Sequence, residues 1–125
     1  MIHHLALIAH DRYKEVMVDW AVQHRQALAR HRLSSTATTG QLIRHATGLD
    51  VDLYLSGPQG GDQQIGALIA EGDIGVLIFF WDTLFSHAHE PDVRALLRLA
   101  VQANIPLACN VATADYLLAS TLLAP

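Results

Sequence analysis

Short apolar runs alternate along this chain with longer amphipathic stretches, and this alternation constrains the fold more than any other feature. Five runs predict strands at residues 5–9, 32–36, 51–55, 76–80 and 105–109. The stretches between and after them predict helices at about 14–30, 40–47, 63–70, 91–103 and from 113. Regular alternation of this kind is typical of an α/β fold with a mainly parallel sheet. We therefore expect a single α/β domain over residues 1–125.

The composition supports a buried core and disfavours several classes of protein. The 125 residues are 51% hydrophobic and only 16% charged, as expected for strands covered on both faces or for a chain with buried subunit contacts. A formal net charge of −4 gives no indication of nucleic-acid or acidic-membrane binding. The single cysteine, Cys109, excludes an internal disulfide framework. We find neither a signal peptide nor an apolar run near the ~20 residues of a membrane span, and expect a cytoplasmic protein.

Polar and glycine-rich segments follow nearly every predicted strand. In open α/β sheets, ligands bind outside the carboxyl ends of the strands, so these segments are the candidate site. They are His10 and Asp11, residues 36–40, residues 56–62, residues 81–92, and Asn110.

The segment TATTG, residues 36–40, places three hydroxyl groups and a glycine between a strand and a helix. Backbone N–H groups and the helix dipole favour an anion there, although Thr38 or Thr39 could equally be an ordinary helix cap. The segment HDRYK, residues 10–14, offers a lysine charge at Lys14 and a hydrogen bond from His10. The alternative is that Asp11 caps the first helix and Lys14 is a solvated surface charge.

The segment SGPQGGD, residues 56–62, offers Ser56 and the amides around Gly57 as further anion donors. The pair Gly60 and Gly61 would allow backbone and ligand to approach closely just before Asp62. The alternative for Asp62 is the N-cap of a helix that starts at Gln63, a position where aspartate is strongly preferred.

The segment HAHEPD, residues 87–92, has three interpretations. His87, His89, Glu90 and Asp92 could ligate a metal. His89 could instead be a neutral histidine at a helix start that hydrogen-bonds a carbonyl oxygen, or these side chains could be polar caps on a surface loop. Together the segments predict an anion cradle, an aspartate in a glycine-lined turn and a histidine–aspartate pair. That set suits proton abstraction beside the carbonyl of a small phosphorylated compound.

The motifs also resemble those of a known family, the methylglyoxal synthases. The resemblance is carried, in family order and over nearly the whole chain, by AHDRYK (9–14), TATTG (36–40), ATGLDV (46–51), LSGPQGGDQQIGALIAEG (55–72), VLIFFWD (76–82), HEPDVRALLRLA (89–100) and NVATAD (110–115). It implies a three-layer Rossmann-like domain, usually assembled as a homohexamer. It also implies a lyase without a cofactor or metal, which converts dihydroxyacetone phosphate into methylglyoxal and inorganic phosphate. The phosphate cradle predicts in turn that inorganic phosphate, the product, competes with the substrate.

The resemblance assigns roles to individual residues. Asp62 matches the family's catalytic base, His89 the histidine at the carbonyl side, and Asp92 a second catalytic carboxylate. Asp11 and Asp82 match aspartates that line the pocket. The phosphate-binding positions carry over to His10, Lys14, Thr36, Ala37, Thr38, Thr39, Ser56 and Gly57.

The chain departs from the family at three points. Ala37 replaces a usual glycine, which would be costly if the backbone there had a positive φ. Thr83 replaces a common proline, and the chain stops at Pro125, before a longer C-terminal segment that many members carry. The alternative function is a non-catalytic phosphate- or metabolite-binding regulatory domain of the same fold. Such a domain would need the anion cradle but neither Asp62 nor His89, so their joint presence favours the enzyme.

Overall fold

Five strands form one parallel sheet in the computed structural model, which describes residues 2–84, 90–121 and 123. The strands are β1 (His4–Ala9), β2 (Arg32–Thr36), β3 (Asp52–Tyr54), β4 (Val76–Phe80) and β5 (Leu107–Ala108). Their order in the sheet is β3-β2-β1-β4-β5, and every neighbouring pair is parallel. The predicted α/β class is confirmed.

Within the described residues, six helices connect and follow the strands. They are α1 (Lys14–Gln23), α2 (Arg25–Leu28), α3 (Ala37–Thr47), α4 (Gly61–Ala70), α5 (Glu90–Gln102) and α6 (Val111–Ala119). Two short 3-10 turns, Asp11–Tyr13 and Gly57–Gln59, follow β1 and β3. None of the helices in the described ranges is long and apolar enough to cross a membrane.

Alternate side chains of each strand face opposite layers of helices. Leu5, Leu7 and Phe80 pack in one cluster with residues of α1, α3 and α6. Ile8 and Phe79 pack on the other face with residues of α4 and α5. Because both faces are covered, the strands read as continuous apolar runs, and the domain has three layers.

The predicted helix over residues 14–30 is wrong as a single element, because it is interrupted at His24. This residue leaves the helical conformation with φ −106° and ψ 23°. Its ring Nε2 lies 3.1 Å from Oδ1 of Asp115 on α6, and Trp20 Nε1 donates to the same oxygen at 3.0 Å. These contacts join residues more than 90 positions apart, so a local periodicity does not reveal them.

At the amino end of β1, His4 is buried between two polar partners. Its Nε2 is hydrogen-bonded to Ser34 Oγ on β2, and its Nδ1 lies 3.5 Å from Asp73 Oδ2. Burial, reinforced by the charge of Arg32, lowers the pKa of His4 below its ordinary value of 6.5, although Asp73 acts in the opposite direction. Folding therefore favours the neutral ring.

This burial predicts that the protein loses stability in mild acid. Below about pH 6.5 the unfolded chain takes up a proton at His4 that the folded chain resists, so the free energy of unfolding should fall as the pH falls. One such group contributes a slope of at most about 1.4 kcal/mol per pH unit. Urea unfolding between pH 5 and 8 measures it. His4→Gln should flatten the slope, whereas His45→Gln, at an exposed position of α3, should not. An unchanged slope in His4→Gln would contradict this assignment.

Candidate active site

A cavity of about 80 Å³ opens at the carboxyl ends of the strands. The chain runs from β1 to β2 on one side and from β4 to β5 on the other, so the strand order reverses between β1 and β4. Such a reversal leaves a crevice in which ligands bind. Six of the predicted site residues line this cavity: His10, Asp11, Lys14, Thr36, Gly57 and Asp62.

Asp62 is the buried carboxylate of the cavity, with only 3% of its surface exposed. It is the second residue of α4, and the N-cap is Gly60, whose φ is 110°. The alternative that Asp62 itself caps a helix starting at Gln63 is therefore wrong. Its position within the first turn still places the carboxylate near the positive end of the helix dipole.

The loop before Asp62 is held by its own backbone and by the side chain of Gln64. A Cβ atom on Gly61 would lie 1.9 Å from the carbonyl oxygen of Leu55, so this position requires glycine. The Gly61 N–H donates to the Ser56 carbonyl at 2.9 Å, and the Leu55 N–H donates to Gln64 Oε1 at 2.8 Å. Glycine is therefore required at position 61 because the protein's own backbone leaves no room for a side chain. From the sequence, we expected the glycine pair instead to make room for a ligand.

His10 has a defined tautomer. The residue is 8% exposed, and its Nδ1 accepts a hydrogen bond from the Asp82 N–H at 2.9 Å. Because Nδ1 accepts this hydrogen bond through its lone pair, the proton of the neutral ring must be on Nε2. The ring of Phe79 contacts His10 edge to face, with 5.1 Å between centroids.

Lys14 is a partly buried cation at the edge of the cavity. Its Nζ donates to the Ala9 carbonyl at 2.9 Å and lies 2.9 Å from Asp11 Oδ1. The hydrogen bond and charge of Lys14 lower the pKa of the exposed Asp11 carboxyl. The alternative of a solvated Lys14 beside an Asp11 helix cap is wrong, because the Lys14 side chain is only 20% exposed and the N-cap of α1 is Tyr13.

The threonine segment forms the start of α3, three residues earlier than predicted. Thr36 is the N-cap, and its buried side chain makes no capping hydrogen bond. Capping by Thr38 or Thr39 is therefore wrong: Thr38 is exposed, and Thr39 donates to the Ala9 carbonyl at 3.5 Å. Ala37 is the first helical residue. Among described non-glycine residues only Asn104 has a positive φ, so alanine carries no backbone strain there.

Asp92 lies on a second groove, of about 250 Å³, between α4 and α5. Asp62 lines this groove as well as the first cavity, and Gln63 Nε2 donates to Asp92 Oδ1 at 3.3 Å. Ser56 and Asp82 do not line either space; the Asp82 carboxylate instead accepts the Leu84 N–H at 3.0 Å. His87 and His89 lie outside the described residues, so their roles, including the metal alternative, stay predictions.

Sequence reasoning missed residues that shape the cavity without reacting. Ile8 and Phe79 form its apolar wall, and Pro58 lies in the 3-10 turn at its mouth. Strand alternation could have placed Ile8 and Phe79 on the face that packs against α4. Gln63 contacts Asp92 on another helix, and Gln64 contacts Leu55 at the start of the preceding loop; neither contact had a signal in the local pattern.

The fold and the cavity together define a class: a small α/β domain whose switch-point crevice holds a buried carboxylate beside cationic and N–H donors, as suits an anionic metabolite. A family model described as MGS-like domain matches residues 16–109. Methylglyoxal synthase from Leptospira interrogans is 56% identical over 119 residues, which cover 95% of this chain and 80% of that protein. Methylglyoxal synthase from Yersinia pestis is 55% identical over the same length, covering 95% and 77%.

A solved structure agrees with these sequence relatives. The crystal structure of methylglyoxal synthase from Elizabethkingia anophelis has a TM-score of 0.92 and 44% identity, covering 98% of this chain and 80% of that one. The chain therefore belongs to the MGS-like family, and the relatives that it matches are enzymes.

Proposed function

We propose that this protein is a lyase that converts dihydroxyacetone phosphate into methylglyoxal and inorganic phosphate. The observation that carries the proposal is Asp62, a carboxylate 3% exposed, in a cavity that His10, Lys14 and Thr36 also line. A carboxylate held away from bulk water beside donors for an anion has the components needed for proton abstraction from a phosphorylated carbonyl compound. The relatives' shared name supports the same product.

The phosphate end of the site is assigned to the start of α3, with Lys14. The first N–H groups of a helix have no partner within the helix, and the helix dipole adds a positive partial charge. Ala37, Thr38 and Thr39 supply these N–H groups, and Thr36 adds a hydroxyl beside them. Ser56 and Gly57, at the start of the neighbouring 3-10 turn, are assigned to the same phosphate as the resemblance implies.

The proposed reaction starts at the hydroxyl-bearing carbon of the substrate. Asp62 removes a proton from this carbon, and the electron pair moves to the carbonyl oxygen to give an enediolate. N–H donors hold that oxyanion, and a preorganised donor of this kind is worth about 3–4 kcal/mol. We assign this role to His89, as the resemblance implies, and the Nε2–H of His10, which lines the cavity, is a second candidate donor.

The enediolate then expels phosphate. The C–O bond to phosphate breaks, and the remaining enol tautomerises to methylglyoxal, so the atoms balance without an oxidant, a reductant or water. Elimination requires the breaking bond to lie roughly perpendicular to the enediolate plane. The cradle at α3 would select this orientation by holding the phosphate.

Asp92 is the second proposed catalytic carboxylate. It is linked to α4 by Gln63, the residue after Asp62, so the first turns of α4 and α5 are held together. Asp92 borders the groove that Asp62 also lines. This arrangement supports a role in moving protons to or from the substrate oxygens rather than in binding phosphate.

Two other functions are less well supported. A regulatory domain of this fold would bind phosphate without needing a buried carboxylate in the same cavity. A thiol nucleophile is disfavoured because burial raises the pKa of Cys109, which keeps the group in its less reactive protonated form.

The proposal also includes the oligomeric state and the cellular location of the protein. We assign the homohexamer and the cytoplasm that the resemblance implies. Val101 and Tyr116, which are 70% and 81% exposed in the single chain, are apolar surface that subunit contacts would cover. Light scattering on the purified protein tests the assembly, and a monomeric mass would contradict it.

The first test of the chemistry is Asp62→Asn. Loss of a general base costs about 100- to 10,000-fold, and kcat should fall by that range because the amide cannot accept the proton. Methylglyoxal and phosphate released from dihydroxyacetone phosphate are measured together, in the presence of a chelator. Asp19→Asn, at an exposed position on α1, is the matched control. Wild-type activity in Asp62→Asn would reject the base, and no turnover by the wild-type protein would reject the function.

The second test concerns the phosphate end. Inorganic phosphate should compete with substrate, and Lys14→Gln should weaken both, because a hydrogen bond to a charged group is worth about 1.5–3 kcal/mol, roughly 10- to 100-fold in affinity. The apparent KM and the inhibition constant of phosphate should rise together. Arg12→Gln removes a charge of the same sign two residues away, at an exposed position, and should change neither constant. Equal effects of the two variants would contradict the assignment.

A further inference from the structure

The loop after β4 holds the ring of His10 through its backbone. Asp82 donates its N–H to His10 Nδ1 at 2.9 Å, while the N–H of His10 itself donates to the Phe80 carbonyl at 3.2 Å. The residue after β1 is thus tied, through both its backbone and its side chain, to the end of β4. These ties cross the point at which the strand order reverses.

The Asp82 side chain makes a separate hydrogen bond within the same loop. Its Oδ1 accepts the N–H of Leu84, two residues later, at 3.0 Å. A carboxylate that binds the backbone two residues on closes an Asx-type turn and fixes the local path of the chain. The turn constrains the backbone of Asp82, the residue whose N–H binds His10.

We propose that Asp82 is a positioning residue that acts on the reaction through His10. Its carboxylate sets the turn, and its N–H selects the His10 tautomer that carries the proton on Nε2. The ring of His10 lines the cavity, whereas Asp82 does not, so the effect of Asp82 is indirect. The inference about the turn and the tautomer does not depend on the proposed function. Only the identity of the substrate oxygen that His10 would contact rests on that function.

The competing explanation, implied by the family resemblance, is that the Asp82 carboxylate contacts the substrate directly. Two substitutions separate the explanations. Asp82→Asn keeps an oxygen that can accept the Leu84 N–H but removes the charge, and Asp82→Ala removes both. A positioning role predicts a much smaller loss in Asp82→Asn than in Asp82→Ala, whereas a charged contact predicts similar losses. Thr83→Ala, an exposed position in the same turn, is the control and should behave as the unsubstituted protein.

The tautomer is measured directly by nitrogen NMR of histidine-labelled protein, with His10→Asn used to assign the signal. We expect the Nε2–H form of His10 in the unsubstituted chain and in Asp82→Asn, and a mixture of tautomers in Asp82→Ala. Full removal of a preorganised donor costs about 100- to 1,000-fold in kcat, so a partly misoriented ring should cost about 10-fold. KM should change little.

A double substitution tests whether Asp82 acts through His10. If it does, Asp82→Ala should cause little further loss of kcat in a His10→Asn background, because the two effects are coupled. An unchanged tautomer in Asp82→Ala, or losses that add fully in the double variant, would overturn the inference. If the unsubstituted protein fails to turn over dihydroxyacetone phosphate, the proposed function fails, and the tautomer still decides this inference.

Discussion

The pairing of β1 with β4 is the constraint on which the site depends. The register places Ala9 opposite Phe80, so the two strands end together at the carboxyl edge of the sheet. The residues that follow, His10 on one side and Trp81 and Asp82 on the other, must then leave the sheet as neighbours. The strand order reverses at this pair, so the helices after β1 and β4 cover opposite faces and a crevice opens between them.

Three helices begin around that crevice, and each contributes a different charged or hydrogen-bonding group. α1 contributes the ammonium group of Lys14, α3 contributes its first-turn N–H groups, and α4 contributes the buried carboxylate of Asp62. A cationic group and helix N–H groups suit a phosphate, whereas the carboxylate would repel it. In the proposed function, the phosphate binds at the cationic and N–H end of this cavity, and Asp62 faces the carbon from which the proton is removed.

Much of this arrangement could be predicted from the sequence, because strand–helix alternation and polar strand ends are local patterns. They located His10, Lys14, Thr36 and Asp62 at one edge of the sheet, and family motifs supplied their expected roles. Helix starts were less predictable. The first turns of α3 and α4 contain threonine or glycine, whose intrinsic preference for a helix is low, and only tertiary contacts such as Gly61 against Leu55 establish them.

Side-chain partners between distant elements were beyond the sequence. His24 with Asp115, and the His10 ring with the Asp82 N–H, are fixed by the packing of whole elements. The last of these matters most for the proposed chemistry, since Nδ1 is the acceptor and the proton of the neutral ring is then on Nε2. A motif identifies that residue but not its tautomer.

The most direct measurement of the central claim follows the proton that Asp62 is proposed to remove. Dihydroxyacetone phosphate deuterated at its hydroxyl-bearing carbon is compared with the unlabelled substrate, and phosphate release is timed for both. The account predicts slower release from the deuterated substrate, with loss of one deuterium for each phosphate, and both events slowed by about 100- to 10,000-fold in Asp62→Asn. Phosphate released without cleavage of a carbon–deuterium bond, or at an undiminished rate in Asp62→Asn, would contradict it.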